Sequence, residues 1–534
     1  MHSRKSTIQK LCPIWAPLIL ASLFALPVSA QSFRVQCPTA TTLHPAPPSG
    51  QTDPLSGDPL YTGPSALTPA PVFKPLNGAP PFSLPKTNPY MTNGGAIKCQ
   101  EISGGDGFMT EADGNQTFLF GFGPLSGLGL IQNGQPGTQL AADFNQRYNS
   151  PFLDLAGTKP DPLFNPSFPV NINAGIAIPA EMMNIGVLNA NIPAPLMAID
   201  EDDEFFLTLT NVGMIMRPDL FEQHTVHFHG YPNASSFFDG VPDASVAINI
   251  GGSMTYYYLA PDAGTYFFHC HITPPEHLQM GMVGQLYVRP RQNRVATGTS
   301  LYTAFQWQQS DLRTSCFPSK DILCATPPPA VNTGFKQGDT VNSNTYTKYA
   351  YNDGDGSTRY DVELPLQIHG FDPNFHFVGM TFNPEGFSDM KDKYFLLNGR
   401  SYPDTVQTGP QATEDSDGIV RPSQPMPATL TLKSGQRALL RISDLDVTEY
   451  QTLASLGIPM QVIALNARLL RDQAGNNLYY TTNSITLAGG ESLDVILDTT
   501  GIAPGTYFLY TPQLDHLSND AENFGGLMTE IVVQ

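Results

Sequence analysis

Basic residues are scarce in this 534-residue chain, where 27 lysines and arginines stand against 47 acids and the formal charge is −20. A surface of that sign repels nucleic acid and anionic lipid, so neither is expected as a partner. Beyond the first thirty residues no apolar run is long enough to cross a bilayer as a helix. No convincing long amphipathic helix is present either, which argues against a helical core. Tryptophan occurs twice and histidine 11 times. Yet six of those histidines crowd into two short stretches, "EQHTVHFHGY" at 222–231 and "GTYFFHCHITPPEHLQMGMVG" at 264–284.

The one long apolar run is N-terminal. Arg4, Lys5 and Lys10 precede Leu11–Leu26, and Val28-Ser29-Ala30 offers small residues for cleavage, the pattern of a secretory signal. Sixteen apolar residues carrying Pro13 and Pro17 are short for a membrane anchor. The expectation is that 1–30 is removed and the protein is exported, to a periplasm or the medium. Loss of three positive charges and no negative one takes the formal charge from −20 to −23. Cys12 leaves with the signal, and the remaining five cysteines are an odd number, so at least one stays outside any intramolecular disulfide. In an oxidising compartment Cys270 is the natural reserved thiolate. Proximity favours Cys316–Cys324, which leaves Cys37–Cys99, although four cysteines allow three pairings.

Residues 31–97, rich in Pro, Ser, Thr and Gly, bury too little apolar surface for a core and read as an extended arm. From about residue 108, short runs such as "QTFLFGFG", "EFFLTLTN", "MTYYYLA" and "GQLYVRP" alternate or cluster β-branched and aromatic residues between Gly, Pro and Asp turns. That is an all-β sandwich pattern. A degenerate repeat runs through it. "PDAGTYFFHCH" at 261–271 recurs as "IAPGTYFLYTP" at 502–512, "EDDEFFLTLTNVG" as "KSGQRALLRISDL", and "TVHFHGY" as "PMQVIAL". Two β-domains on one plan are expected, over 98–292 and 293–534. In the second copy His269, Cys270 and His271 become Tyr510, Thr511 and Pro512, while His227 and His229 become Gln461 and Ile463. The candidate ligands stand in the first copy alone.

Strand alternation sorts those ligands into two groups, because successive side chains point to opposite faces. His224 and Cys270 fall on one side; His227, His229, His269 and His271 fall on the other. The loop after Cys270 adds His277 and Met282 to the first group. Two imidazoles, a thiolate and a weak axial thioether are a blue-copper donor set. The four imidazoles suit copper that meets a small oxidant, with zinc as the rival metal.

With these residues in place, the sequence resembles the multicopper oxidases and their cupredoxin relatives, including two-domain laccase-like proteins and copper nitrite reductases. "HTVHFHG" is similar to the family's H-x-x-H-x-H-G box and "HCHITPPEHLQMGM" to its H-C-H…H…M box. The resemblance implies two cupredoxin-like Greek-key β-sandwich domains, with a type 1 copper on His224, Cys270, His277 and Met282. It implies electron transfer through His269 and His271 to copper on the four histidines, a type 2- or type 3-like centre that reduces O₂. The reductant would be a small molecule or a metal ion, and electrons would arrive at an exposed edge of His277. Two departures stand out. The Cys-to-His interval has two more residues than in laccases, with Met280 as the alternative axial group. A trinuclear cluster in the family takes eight histidines from four H-x-H pairs, and this chain has two pairs. Completion by His516 or His376 of a neighbouring subunit (a trimer), a smaller centre on the four histidines, and a carrier with only the type 1 copper are all compatible with that count. Nitrite reduction is a further enzymatic option.

Smaller signals read as structural first. "DEDDEFF" at 200–206 is a polar turn before a strand, with a cation site as the alternative. Asp239 caps an Asp-Gly turn, with a proton relay as the alternative. His369 and His376 have the wrong spacing for one strand face and read as hydrogen-bonding groups. "NQT" and "NAS" match the glycosylation acceptor pattern.

Overall fold

A computed structural model describes residues 37–41, 44, 72–73, 82–83, 90, 92, 94–144, 185–230, 235–260, 262–309, 326–341, 343–381 and 386–534. The expected signal, Cys316–Cys324 and most of the proline-rich arm lie outside them. No helix among the described residues is long and apolar enough to cross a membrane.

The first unit packs two sheets. One has the order β2-β1-β4-β6, built from β1 (Ile97–Thr110), β2 (Gln116–Pro124), β4 (Glu204–Gly213) and β6 (Ser253–Leu259). The other has the order β3-β8-β7-β5, from β3 (Met197–Asp200), β5 (His227–His229), β7 (Gly264–His269) and β8 (Val283–Arg289). The pairs β1/β4 and β3/β8 run parallel and the other neighbours antiparallel, so the chain crosses between sheets in the Greek-key manner. Strand β7 is buried along its whole length, which explains why "GTYFFH" clusters apolar residues instead of alternating them. Phe120, Phe122, Phe205, Phe268 and Leu286 fill the space between the sheets, with Cys270, Met280 and Met282 in the same core. A short helix, α1 (Pro274–Gln279), follows β7.

The second unit repeats the plan. Strands β9 (Val362–Phe371), β12 (Arg437–Asp444) and β16 (Glu491–Asp498) stand as β1, β4 and β6 do. Between β9 and β12 come α2 (Pro373–Met380), β10 (Tyr394–Leu397) and β11 (Leu430–Leu432). Strands β11, β17 (Gly505–Tyr510) and β18 (Met528–Val533) match β3, β7 and β8. Two of the three sequence repeats thus occupy equivalent strands. The third does not. Residues 459–465 form β14 (Met460–Leu465), which pairs with β16 in the other sheet, whereas the partner of β17 is β13 (Gln451–Ser455). By register His227 corresponds to Ala454, and His229, two residues on, to Leu456, not to Gln461 and Ile463. The apolar spacing of both candidate segments is alike, and only pairing separates them.

An apolar seam joins the units: Phe267, Leu278 and Val283 of the first pack with Phe371, Leu396 and Leu445 of the second. The acidic run at 200–204 is consumed internally. Asp200 and Asp203 hold Lys98, Glu201 and Asp202 hold Arg291, Asp202 also holds Arg294, and Glu204 holds His44. That segment beside His44 is tied to β1 by the Cys37–Cys99 disulfide.

Candidate metal centres

His224 sits just before β5 in an isolated antiparallel bridge with Ile248, and Cys270 immediately follows β7. Gly104 makes room for the imidazole, since a Cβ there would lie 2.6 Å from His224 Cδ2. The Cys270 N–H donates to Met282 O at 3.2 Å, and Met282 N–H donates to His277 O at 2.8 Å, so the helix-bearing loop folds back onto the cysteine. Nδ1 of His277 lies 3.2 Å from Cys270 Sγ and Nδ1 of His224 lies 4.0 Å away. Thr225 N–H also donates to the sulfur at 3.4 Å. Cys270, His224, His277 and both candidate methionines, 280 and 282, are buried. Burial alone raises the Cys270 thiol, but His277 and His224 outweigh it and hold the thiol well below its ordinary value. Burial likewise lowers the His277 ring, and the Cys270 thiolate overrides it, lifting the ring to about 10.

His277 has no exposed edge: the residue is 0% exposed. Glu222, at the end of the irregular segment 214–222, lies against its ring. Met216 N–H donates to Asp106 at 2.8 Å, Arg217 donates to Gly379 O in α2 and pairs with Asp219, and Glu222 brings a carboxylate oxygen to 3.5 Å from His277 Nε2. Phe221, beside Glu222, is 83% exposed.

The second group lies across the strand pair. His227 and His269 face each other in the β5/β7 register, with ring centroids 5.3 Å apart. Ligand atoms of His227, His229 and His269 come within 4.8 Å of one another. His271 borders them, 5.1 Å from His227 and 5.7 Å from His269 between ring centroids. His227 Nδ1 donates to Asp239 O at 2.7 Å and His269 Nδ1 to Cys270 O at 2.8 Å. A ring that donates from Nδ1 keeps its Nε2 lone pair for a metal, so both tautomers suit ligation. His229 stacks on Phe267 and is exposed, which opens the group toward solvent. Asp239 acts here through its carbonyl, with Gly240 at φ +79° turning the chain; a Cβ on Gly240 would strike Val226 O at 2.1 Å.

The histidines left outside both groups are engaged elsewhere. His516 contacts Gln451 and Glu449 and stacks on Phe395; His376 faces Phe118 O and Gln279 O; both are buried. Both rings thus spend their contacts on groups of this same chain.

The donor chemistry fits copper. A soft thiolate with two imidazoles in a dry core suits Cu(I) and Cu(II) alike, and an all-imidazole group beside it is a common copper environment.

A family model described as multicopper oxidase matches residues 173–293, and a second model of that description matches 381–531. Laccase abr2 of Aspergillus fumigatus is 33% identical over 109 residues, 20% of this chain and 17% of that protein. A copper-containing nitrite reductase of Rhizobium meliloti is 33% identical over 109 residues, covering 20% and 26% of the two chains. Copper resistance protein A of Pseudomonas syringae pv. tomato is 30% identical over 192 residues, covering 34% and 27%. The matches thus span less than a third of these relatives' length. A blue copper oxidase structure from Nitrosomonas europaea aligns with a TM-score of 0.47 at 17% identity, over 82% of this chain and 86% of that one. With one matched segment in each β-sandwich unit and a thiolate–imidazole group beside an all-histidine group, this chain belongs to the multicopper oxidases of the cupredoxin superfamily.

Proposed function

We propose that the protein is a copper-dependent oxidoreductase that takes single electrons from a reductant at His224, Cys270, His277 and Met282. It passes them to copper held by His227, His229, His269 and His271, where O₂ is reduced. Copper, when bound, supplies the one-electron chemistry, and the chain supplies ligand geometry, burial and the route. The observation that carries this reading is the position of Cys270. Its sulfur lies in the first group, its own carbonyl accepts from His269 of the second, and His271 follows it in the chain. A continuous covalent path through a single peptide link therefore joins the two.

Electrons arrive over Glu222 and Phe221, since His277 itself is covered. Glu222 is held below its ordinary value, chiefly by His277, and so presents a negative charge that favours cationic or proton-releasing donors. Small-molecule and metal-ion reductants both meet that requirement.

The second reading is a centre of one copper, as nitrite reduction needs. It is favoured by the three, not eight, imidazoles whose ligand atoms converge. Copper per chain, measured by metal mass spectrometry on the copper-loaded protein, separates the readings. About one copper leaves an electron carrier, about two a mononuclear catalytic centre, and three or more a cluster. Oxygen uptake with a reductant then tests oxidase activity directly.

A further inference from the structure

The second unit holds no candidate metal group among its described residues, yet its polar side chains converge on one residue of the copper loop. Gln279 is the last residue of α1, between His277 and Met282, and it is fully buried. Its side-chain N–H donates to Asp392 Oδ1 at 2.8 Å, and its side-chain oxygen accepts from the Asp372 N–H at 3.2 Å. Its backbone carbonyl faces His376 Nε2 at 2.9 Å. Burial holds His376 down at about 4, so at neutral pH the ring donates to one of its two carbonyls at a time.

Asp392 is itself one of a carboxyl pair. Asp446 collects the N–H groups of Thr448 and Glu449 and the Gln451 amide, at 2.8, 3.2 and 2.7 Å. The Thr448 hydroxyl reaches Asp446 at 2.9 Å and also touches Asp392 Oδ2. A hydroxyl has one proton to give. Donated to Asp446, it leaves the contact with Asp392 without a proton unless Asp392 is a carboxylic acid. Gly370 fits this crowding: a Cβ there would lie 2.3 Å from Asp392 Oδ2 and 2.8 Å from Asp446 Oδ2. Burial first, then the charge of Asp446, pushes the Asp392 carboxyl well above its ordinary value.

We propose that Asp392, acting through Gln279, is a positioning residue for the copper loop, and that the proton on its carboxyl makes the reduction potential of the type 1 copper depend on pH. The inference rests on the type 1 reading of Cys270. Reduction adds negative charge at the copper and favours the protonated acid. The potential therefore falls as pH rises, Asp392 loses its proton and the oxidised state gains. The other groups facing this cluster are Asp372 at the N-cap of α2 and His376 within it, His369 on β9, and Asp444 on β12 with Glu491 of β16 beyond it. The neighbouring Lys391 and Lys393 lie on the chain of Asp392 itself.

The test is a redox titration of the thiolate–copper colour on the full copper-loaded chain, from about pH 5 to about pH 9, a span that covers a carboxyl raised by burial. Wild type should show a midpoint that falls with pH, by at most about 59 mV per unit, the value for a tenfold change per electron. Asp392→Asn keeps both hydrogen bonds but not the proton, so its midpoint should be flat with the colour unchanged. Gln279→Met should shift the midpoint and lose the pH dependence at wild-type copper content, and it serves alone where the first variant does not fold. Either variant with the wild-type slope, or a flat wild-type midpoint, overturns the inference while leaving the type 1 reading intact. Copper without thiolate colour in wild type overturns both.

Discussion

His269 donates from Nδ1 to the carbonyl oxygen of Cys270, 2.8 Å away, so one hydrogen bond between chain neighbours spans the boundary between two groups that could each hold a metal. A ring that donates from Nδ1 keeps the Nε2 lone pair for a metal. Cys270→Ser should therefore cost about one copper per chain and all intense blue or green colour, because a hydroxyl is a poor ligand for soft copper. The second group should keep its metal. Metal content and the visible spectrum of the loaded variant check this, and a coloured variant sinks the first site.

The double change His227→Ala and His229→Ala should leave the colour in place. Oxygen uptake should fall by more than about 100-fold, the upper loss seen when only a ligand's hydrogen-bond partner is removed. Unimpaired turnover argues against reaction at this group.

Gly240→Ala tests how His227 is held. A Cβ would strike Val226 O at 2.1 Å, and the turn that aims the Asp239 carbonyl at His227 Nδ1 must move. Copper affinity at the histidine group should weaken by about 10- to 100-fold, with colour retained. Equilibrium dialysis against copper, read beside the visible spectrum, separates the two sites.

Glu222→Gln removes the negative charge 3.5 Å from His277 Nε2. Stopped-flow reduction of the coloured site by a cationic donor should slow by about three- to tenfold at low salt, and by less as salt screens the charge. A rate unchanged by the substitution at every ionic strength places electron arrival elsewhere.

A pH effect on stability comes from Glu363, between Arg289 and Arg441. Burial alone raises its carboxyl, but Arg441 and Arg289 outweigh it and hold the group at about 2. Unfolded, the carboxyl returns to about 4.3. As pH falls through that window the unfolded chain takes up the proton first, so stabilisation present above about pH 4.3 is lost by about pH 2, on the order of 3 kcal/mol. Urea midpoints at neutral and acid pH should show Glu363→Gln weaker at neutrality and flatter toward acid. Parallel curves for the two proteins rule this out.

Much of the site was legible because its ligands sit on or beside strands, where a two-residue period assigns faces without knowledge of the fold. His224 and Cys270 on one side, and His227, His229 and His269 on the other, follow from that period alone. What escaped it depends on contacts distant in sequence. Glu222, beside His277, ends an irregular segment held by Asp106 and Gly379, which lie 110 and 162 residues from their partners. The counterpart of "TVHFHGY" was misplaced because β13 and β14 have similar apolar spacing and differ only in which strand they pair with. His376 makes the structural hydrogen bonds its spacing suggests, to Phe118 O and Gln279 O, but which carbonyls a buried ring meets is not written in the sequence.

Arg217 fastens the irregular segment that ends at Glu222 to the Gly379 carbonyl of α2, in the second unit. Any movement of α2 would therefore pull on the carboxylate beside His277, so the surroundings of that ring depend on how the two units sit together.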